Sequence, residues 1–252
     1  MRRLGPVERV AVLSDVHGNI PALSAVLAET ADADLVVFNG DLTWGPEPER
    51  TVELVTALGD RAVFVRGNAD RAVVELARGT RAPDRARDEW MPAQHSARSV
   101  EFLAGFAFSL VVTVSGLGPV RFCHGSPRSD TETVTPATPD ERMAALSADI
   151  DEKVLVTGHT HLQFDRSVTG LRSINPGSVG LPYHTGSPGT AYWATLSGDG
   201  VALRQTRYDV ADAVARLSLV GDPAAGTIEE LLTTPPTPEE LIEHAEGRVF
   251  SD

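Results

Sequence analysis

The chain has 252 residues, enough for one domain with a sizeable core. With 42% hydrophobic and 23% charged residues it has the make-up of an ordinary globular enzyme, and a net charge of −13 argues against nucleic acid or an anionic membrane as partner. Its single cysteine, Cys123, excludes an internal disulfide and a thiolate cluster, so a metal would be held by His, Asp, Glu or Asn.

In chain order, the first 78 residues repeat an apolar run, a polar turn and a helical stretch. Val10 to Ser14, Leu35 to Asn39 and Ala62 to Arg66 read as buried strands. Ile20 to Thr30, Glu49 to Leu58 and a segment starting near Asp70 read as the helices between them. This alternation predicts an α/β fold with a largely parallel sheet. Gly79 to Arg87 reads as a loop and Ser96 to Phe106 as a helix. Leu110 to Val114 and Val120 to Cys123 read as paired strands around the Ser115–Gly118 turn. The polar Ser126 to Pro139 stretch reads as a long exposed loop, followed by a helix to about Ala148. Strands return at Val154 to Thr157, Phe164 to Val168, Leu171 to Ile174, Ala191 to Leu196 and Val201 to Tyr208, the last two joined by a hairpin at Ser197–Gly200. Asp209 to Leu219 closes a domain spanning 1–220. Residues 221–252 form a tail, partly helical or mobile, with a short helix over Glu239 to Ala245. No run of 18 apolar residues and no signal-peptide stretch is present, so a cytoplasmic protein without a membrane partner is expected.

Several polar residues fall just past the predicted strands, where an α/β sheet places its ligand site. They are Asp15 and His17, Asp41, Asn68, His124, the pair His159 and His161, and the Asn175-Pro176-Gly177-Ser178 segment. Singly, most are ordinary. Gly-Asp and Gly-Asn are common turns, and a lone His124 is more often a hydrogen-bonded core histidine than a ligand. Together, four of the seven histidines lie at strand ends beside two aspartates and an asparagine, which points to metal binding. Such a donor set without thiolate suits Mn²⁺, Fe or Zn²⁺.

The ordered set Asp15-x-His17, Gly40-Asp41, Gly67-Asn68, His124-Gly125 and Gly158-His159-Thr160-His161 resembles the calcineurin-like metallophosphoesterase superfamily, from about Arg9 to Tyr208. The short chain and the Asn-Pro-Gly-Ser segment are most similar to its small bacterial phosphodiesterase branch. The resemblance implies a four-layer α/β/β/α sandwich and two divalent metal ions. It assigns Asp15, His17 and His161 to one ion, Asn68, His124 and His159 to the other, and Asp41 to both. It implies hydrolysis of a small phosphodiester or phosphomonoester by two-metal activation of water, with Asp41 and Asn68 at the chemistry.

Many members of that superfamily read Gly-Asn-His at the third motif; here the third residue is Ala69. General acid help of that kind is worth about 10²–10⁴-fold. Asp70, His95 or His184 are the candidate substitutes, with His95 favoured because it lies in the variable middle region. Arg66 and Arg128 are the arginines best placed to meet a substrate phosphate, and Tyr183 and His184 are further pocket candidates. The alternative is a catalytically weak or inactive scaffold for protein interaction, since a vesicle-coat subunit of the superfamily also lacks that imidazole. The sequence leaves an oligomer open.

Overall fold

The computed structural model describes residues 2–248; positions 249–252, the end of the expected tail, lie outside the described residues. One sheet contains β2 (Arg9–Leu13), β3 (Leu35–Asn39), β4 (Ala62–Val65), β10 (Thr190–Ser197) and β11 (Gly200–Arg207), in the order β11-β10-β2-β3-β4. The second contains β1 (Arg2–Val7), β5 (Ser109–Val114), β6 (Gly118–Cys123), β7 (Val154–Val156), β8 (Gln163–Val168) and β9 (Leu171–Pro176), in the order β1-β5-β6-β7-β9-β8.

Side-chain alternation decides how the sheets stack, because successive residues of a strand face opposite ways. Val10 and Val12 of β2, with Leu35 and Val37 of β3, turn toward Leu110, Val112, Phe122 and Val156 of the second sheet. Their neighbours Ala11, Leu13, Val36 and Phe38 turn the other way. They meet Leu23 and Val26 of α1 (Ile20–Ala28), Val55 of α2 (Pro48–Thr56), Val73 of α3 (Asn68–Ala77), Met91 of α4 (Ala86–Ala93) and Leu103 of α5 (Ala97–Ala104). Cys123 and Leu155, on the outer face of the second sheet, pack with Met143 and Leu146 of α6 (Asp140–Leu146) and with Leu241 and Ile242 of α9 (Pro238–Glu246). The result is a mixed α/β fold of two sheets flanked by helices. Strands buried on both faces explain the unbroken apolar runs of β2 and β3.

The sheets are less parallel than the helix alternation suggests. β2, β3 and β4 are parallel, but β10 runs antiparallel to β2, and β11 antiparallel to β10. β1 was not anticipated; it holds the edge beside β5, where the missing N–H of Pro6 is tolerated. Helix α4 starts at Ala86, inside the stretch read as loop.

The larger correction concerns Ser126 to Pro139. This stretch is not exposed: Ser126, Asp130, Glu132, Thr133, Thr135 and Thr138 are all buried. Three of its threonines are satisfied by the tail. Thr135 and Thr138 donate to Glu246 Oε1 (2.6 and 2.9 Å), and Thr133 donates to the Arg248 carbonyl (2.9 Å). Each segment removes the other from water. α8 (Ala225–Thr233) packs on α7 (Val210–Val220) through Ile228, Leu232, Ala213 and Leu217. Among the described residues no helix is long and apolar enough to cross a membrane.

Candidate metal centre

Two groups of ligating side chains meet at the C-terminal ends of β2, β3, β6 and β7. Asp15, His17 and His161 form one group and Asp41, His124 and His159 the other, with ligating atoms within 4.8 Å of one another in each. Asp41 faces both: Oδ1 is 3.4 Å from His124 Nε2, and Oδ2 is 3.8 Å from His17 Nε2. Asn68, first residue of α3, brings Oδ1 within 3.2 Å of His124 Nε2.

The backbone is bent to make this possible. Asp15, His17, Asp41, His159 and His161 all have φ between 48° and 65°, and Thr169 is the only other non-glycine residue with positive φ among those described. A left-handed non-glycine residue costs about 1–3 kcal/mol and persists where its surroundings over-determine it. Here they do. Asp15, His17 and Gly18 donate to the carbonyls of Gly40, Asp41 and Leu42, so the two turns continue the β2–β3 ladder. Ser178 Oγ donates to Asp15 O (2.7 Å), and Asn175 Nδ2 to Gly158 O (2.7 Å). The Asn175–Ser178 segment thus clamps the two turns that carry Asp15 and His159. Gly40 and Gly67 are needed for close approach: a Cβ at Gly40 would overlap the His124 ring, and one at Gly67 the Asp41 carboxylate.

Hydrogen bonds choose the ligand atoms. The Nδ1 atoms of His17, His124 and His161 donate to the carbonyls of Trp44 (3.1 Å), Asn39 (2.8 Å) and Leu181 (2.7 Å), which leaves each Nε2 turned inward. Asp15 Oδ2 accepts from Ser14 Oγ (2.5 Å) and the His159 N–H (3.2 Å). Asp15 Oδ1 and His159 Nε2 are buried with no hydrogen-bond partner. Oδ1 lies 3.1 Å from His161 Nε2; since that ring's Nδ1 already donates, the contact is a bond only if the imidazole is charged. Orphaned buried atoms at the centre of a carboxylate, imidazole and amide cluster fit divalent cations well.

Without cations the cluster balances itself with protons. Burial would raise the Asp41 carboxyl, but His124, His17 and His159 hold it well below the usual carboxylate range. Burial, then His161, pushes His17 down to about 4, and burial, then His124, does the same to His159. His124, opposed by burial, is pushed up to about 10 by Asp41 and Asp15. His161 is raised too, against burial, chiefly by Asp15.

A cavity of about 160 Å³ opens beside this cluster, lined by His17, Asp41, Trp44, Asn68, Ala69, Arg81, Arg85 and Asp88. Arg81 and Arg85 were missed because they sit in a segment with no periodicity; their signal was two arginines in a loop placed to fold over the third strand end. The substrate residues expected from the sequence, Arg66, Arg128 and His184, lie elsewhere. Arg66 bonds Asp130 (3.1 Å), and Arg128 bonds Glu132 (2.6 Å). His184 lies against Tyr192, with ring centroids 5.1 Å apart. The structure does not bring His95 to the cluster. Its Nε2 pairs with Thr43 Oγ1 and its Nδ1 with Met91 O, both at 2.9 Å, and it borders a separate groove between α3, α4 and α5. Asp70 is no proton donor to the cavity either. It is fully buried, and its oxygens accept the N–H groups of Asp41, Leu42 and Gly67 at 2.9 Å, fixing the Asp41 turn to the start of α3.

Two stacked sheets with clustered ligands at their strand ends define a metallophosphoesterase arrangement. Residues 9–199 match the calcineurin-like phosphoesterase superfamily domain, and the chain belongs to that family. A metallophosphoesterase from Sphaerobacter thermophilus is similar at 26% identity and a TM-score of 0.71, over 90% of this chain and 99% of that one. The hypothetical protein PH1004 from Pyrococcus horikoshii OT3 shares the fold at 20% identity and a TM-score of 0.76, over 91% and 99%. No curated protein matches the chain.

Proposed function

We propose that this protein hydrolyses a small phosphodiester or phosphomonoester with two divalent cations, Mn, Fe or Zn, held by Asp15, His17 and His161 on one side and by Asn68, His124 and His159 on the other, with Asp41 between. The observation that carries this reading is the pair of facing ligand groups with Asp41 turned to both. Bound there, the cations supply Lewis-acid polarisation and lower the pKa of the attacking water.

The chain's own residues do the rest. The Asn68 amide and the Arg81 and Arg85 guanidiniums line the cavity into which the phosphoryl group would enter, and Trp44 and Ala72 wall it. The Ala69 N–H donates to Asp41 Oδ1 (2.9 Å), so Ala69 helps hold the shared carboxylate even though it has no imidazole to offer. With neither His95 nor Asp70 at the cavity, no imidazole stands at Ala69 to protonate the leaving oxygen. Turnover should therefore fall steeply as the leaving alcohol becomes less acidic.

The test is a screen of metal-stripped protein with Mn²⁺, Fe²⁺, Zn²⁺, Ni²⁺ and Mg²⁺ against aryl monoesters, aryl diesters and cyclic nucleotides. Metal-dependent turnover is expected, falling in Asp41→Asn by more than the about 10–100-fold that loss of an outer partner costs. Tight metal binding with no turnover of any ester would instead favour the interaction scaffold that Ala69 allows.

A further inference from the structure

A second cavity, of about 180 Å³, lies on the His159 side of the cluster and is lined by Thr133, His159, Thr160, Tyr183, Leu241, His244, Ala245 and Arg248. Half of that lining comes from the C-terminal segment, beyond the residues 9–199 that match the family domain. We propose that this cavity is a substrate pocket in which Arg248 and His244 hold an anionic group carried on an organic substituent of the phosphoester. This rests on the hydrolase reading above.

Four observations carry it. First, the pocket shares His159 with the candidate metal centre. A phosphoryl group between the two cavities could extend one substituent into this pocket. Second, the threonine hydroxyls of the wall are already used. The Thr160 hydroxyl donates to Val134 O (3.1 Å) and accepts from Asn175 Nδ2 (3.1 Å), and Thr133 donates to the segment's backbone. What the pocket can still offer an anion is a set of donors beside the Tyr183 hydroxyl: among the described residues the Arg248 guanidinium and the His244 imidazole have no hydrogen-bond or ion-pair partner.

Third, the pocket also has an apolar side. Tyr183 stacks on His161 at 5.1 Å and 17°, and Leu241 faces the same space. A flat organic ring ending in an anion matches that mixture. Fourth, the backbone that carries these two side chains is anchored. Glu246, two residues from each, is bonded by Thr135 and Thr138, and Arg248 is tied at its carbonyl by Thr133. The bland alternative is a helix end that shows an Arg and a His to water, with no ligand.

Two diesters with the same 4-nitrophenolate leaving group separate these readings: one with phenyl as the second arm, one with 4-sulfophenyl. In the wild type the sulfophenyl ester should have the lower KM. Arg248→Ala, and to a smaller degree His244→Ala, should raise its KM about tenfold more than that of the phenyl ester, with kcat for the two esters changing alike. Both positions are exposed, so the folded state should survive either change. A KM ratio equal in wild type and variants would overturn the pocket. Calorimetry with 4-hydroxybenzenesulfonate on metal-stripped protein gives a second readout independent of turnover. Binding weakened about tenfold by Arg248→Ala supports the pocket even if neither diester is hydrolysed, in which case only the hydrolase reading falls. Binding indifferent to Arg248 sinks the pocket whether or not the protein is an enzyme.

Discussion

The floor of the site and its cover are built in opposite ways. On the floor, Asp15, His17, Asp41, His159 and His161 stand on left-handed residues at strand ends, the first three held by backbone bonds between their turns and His159 by its N–H to Asp15 Oδ2. The cover consists of residues 126–139 under α9, whose contacts join residues more than a hundred apart, such as Thr135 with Glu246. Strain is stored in the floor and absent from the cover, where every non-glycine residue has ordinary negative φ. The floor spends stability on precise placement, whereas the cover adds stability and shape. Damage to the floor should therefore cost function first, and damage to the cover should cost local order first.

The largest expected effect is on the floor. Gly67→Ala drives a methyl into the Asp41 carboxylate and its N–H. Overpacking of this kind costs about 1–3 kcal/mol, but the stronger consequence is displacement of the carboxylate shared by the two ligand groups. Metal content by elemental analysis and kcat/KM should both collapse while the melting temperature falls only a few degrees. A variant that keeps its metal and its turnover would show that Asp41 tolerates movement, and the comparison would lose its first half.

Metal loading itself should release protons. At pH 7 His124, pushed up to about 10, carries a charge that a cation must displace, and the raised His161 adds to it. Calorimetric titration in buffers of different ionisation enthalpy should show about one or more protons released per protein, and affinity should rise with pH. Uptake of protons, or none exchanged, would contradict the balance drawn above.

On the cover, Glu246→Ala removes the acceptor shared by the buried Thr135 and Thr138 hydroxyls. Leaving buried donors unpaired costs about 1–3 kcal/mol. Hydrogen exchange should show α9 and 126–139 opening together, with metal content retained. If the metal is lost as well, floor and cover are one cooperative unit and the contrast fails.

The same contrast explains what could be read from the chain. Each of these floor residues lies within a few positions of the end of an apolar run, so local pattern was enough to single out Asp15, His17, Asp41, Asn68, His124, His159 and His161, which the fold brings together. Nothing local showed that Thr133, Thr135 and Thr138 would be buried, because their partners lie in the tail; a Thr/Pro-rich stretch looks solvated until its acceptors arrive. His95 misled for a related reason. It lies in the right part of the chain, but its helical neighbourhood turns it toward Met91 and Thr43. Arg81 and Arg85 were hidden in a loop without periodicity, where a pair of arginines is easily read as solvated surface.

The smallest effect tests how the cover is tied to the floor. Asp130, in the buried stretch, bonds Arg71 of α3 at 2.9 and 3.1 Å and Arg66 at 3.1 Å, and α3 begins with the proposed ligand Asn68. Burial would raise the Asp130 carboxyl, but Arg71 and Arg66 hold it below its ordinary value of 3.8. A carboxyl lower in the folded than in the unfolded chain contributes stability that is fully present above the unfolded value and is lost as pH falls through the folded one. Denaturation curves should therefore show a steeper loss of stability below about pH 4 in the wild type than in Asp130→Asn, with the two differing by a constant amount near neutrality. Because Arg66 is half-exposed and exposed pairs are weak, the constant difference should stay near or below about 1 kcal/mol if surface pairing is all that Asp130 provides. A larger gap, accompanied by weaker metal binding, would mean that the pull on α3 reaches Asn68 and that the cover helps set the floor.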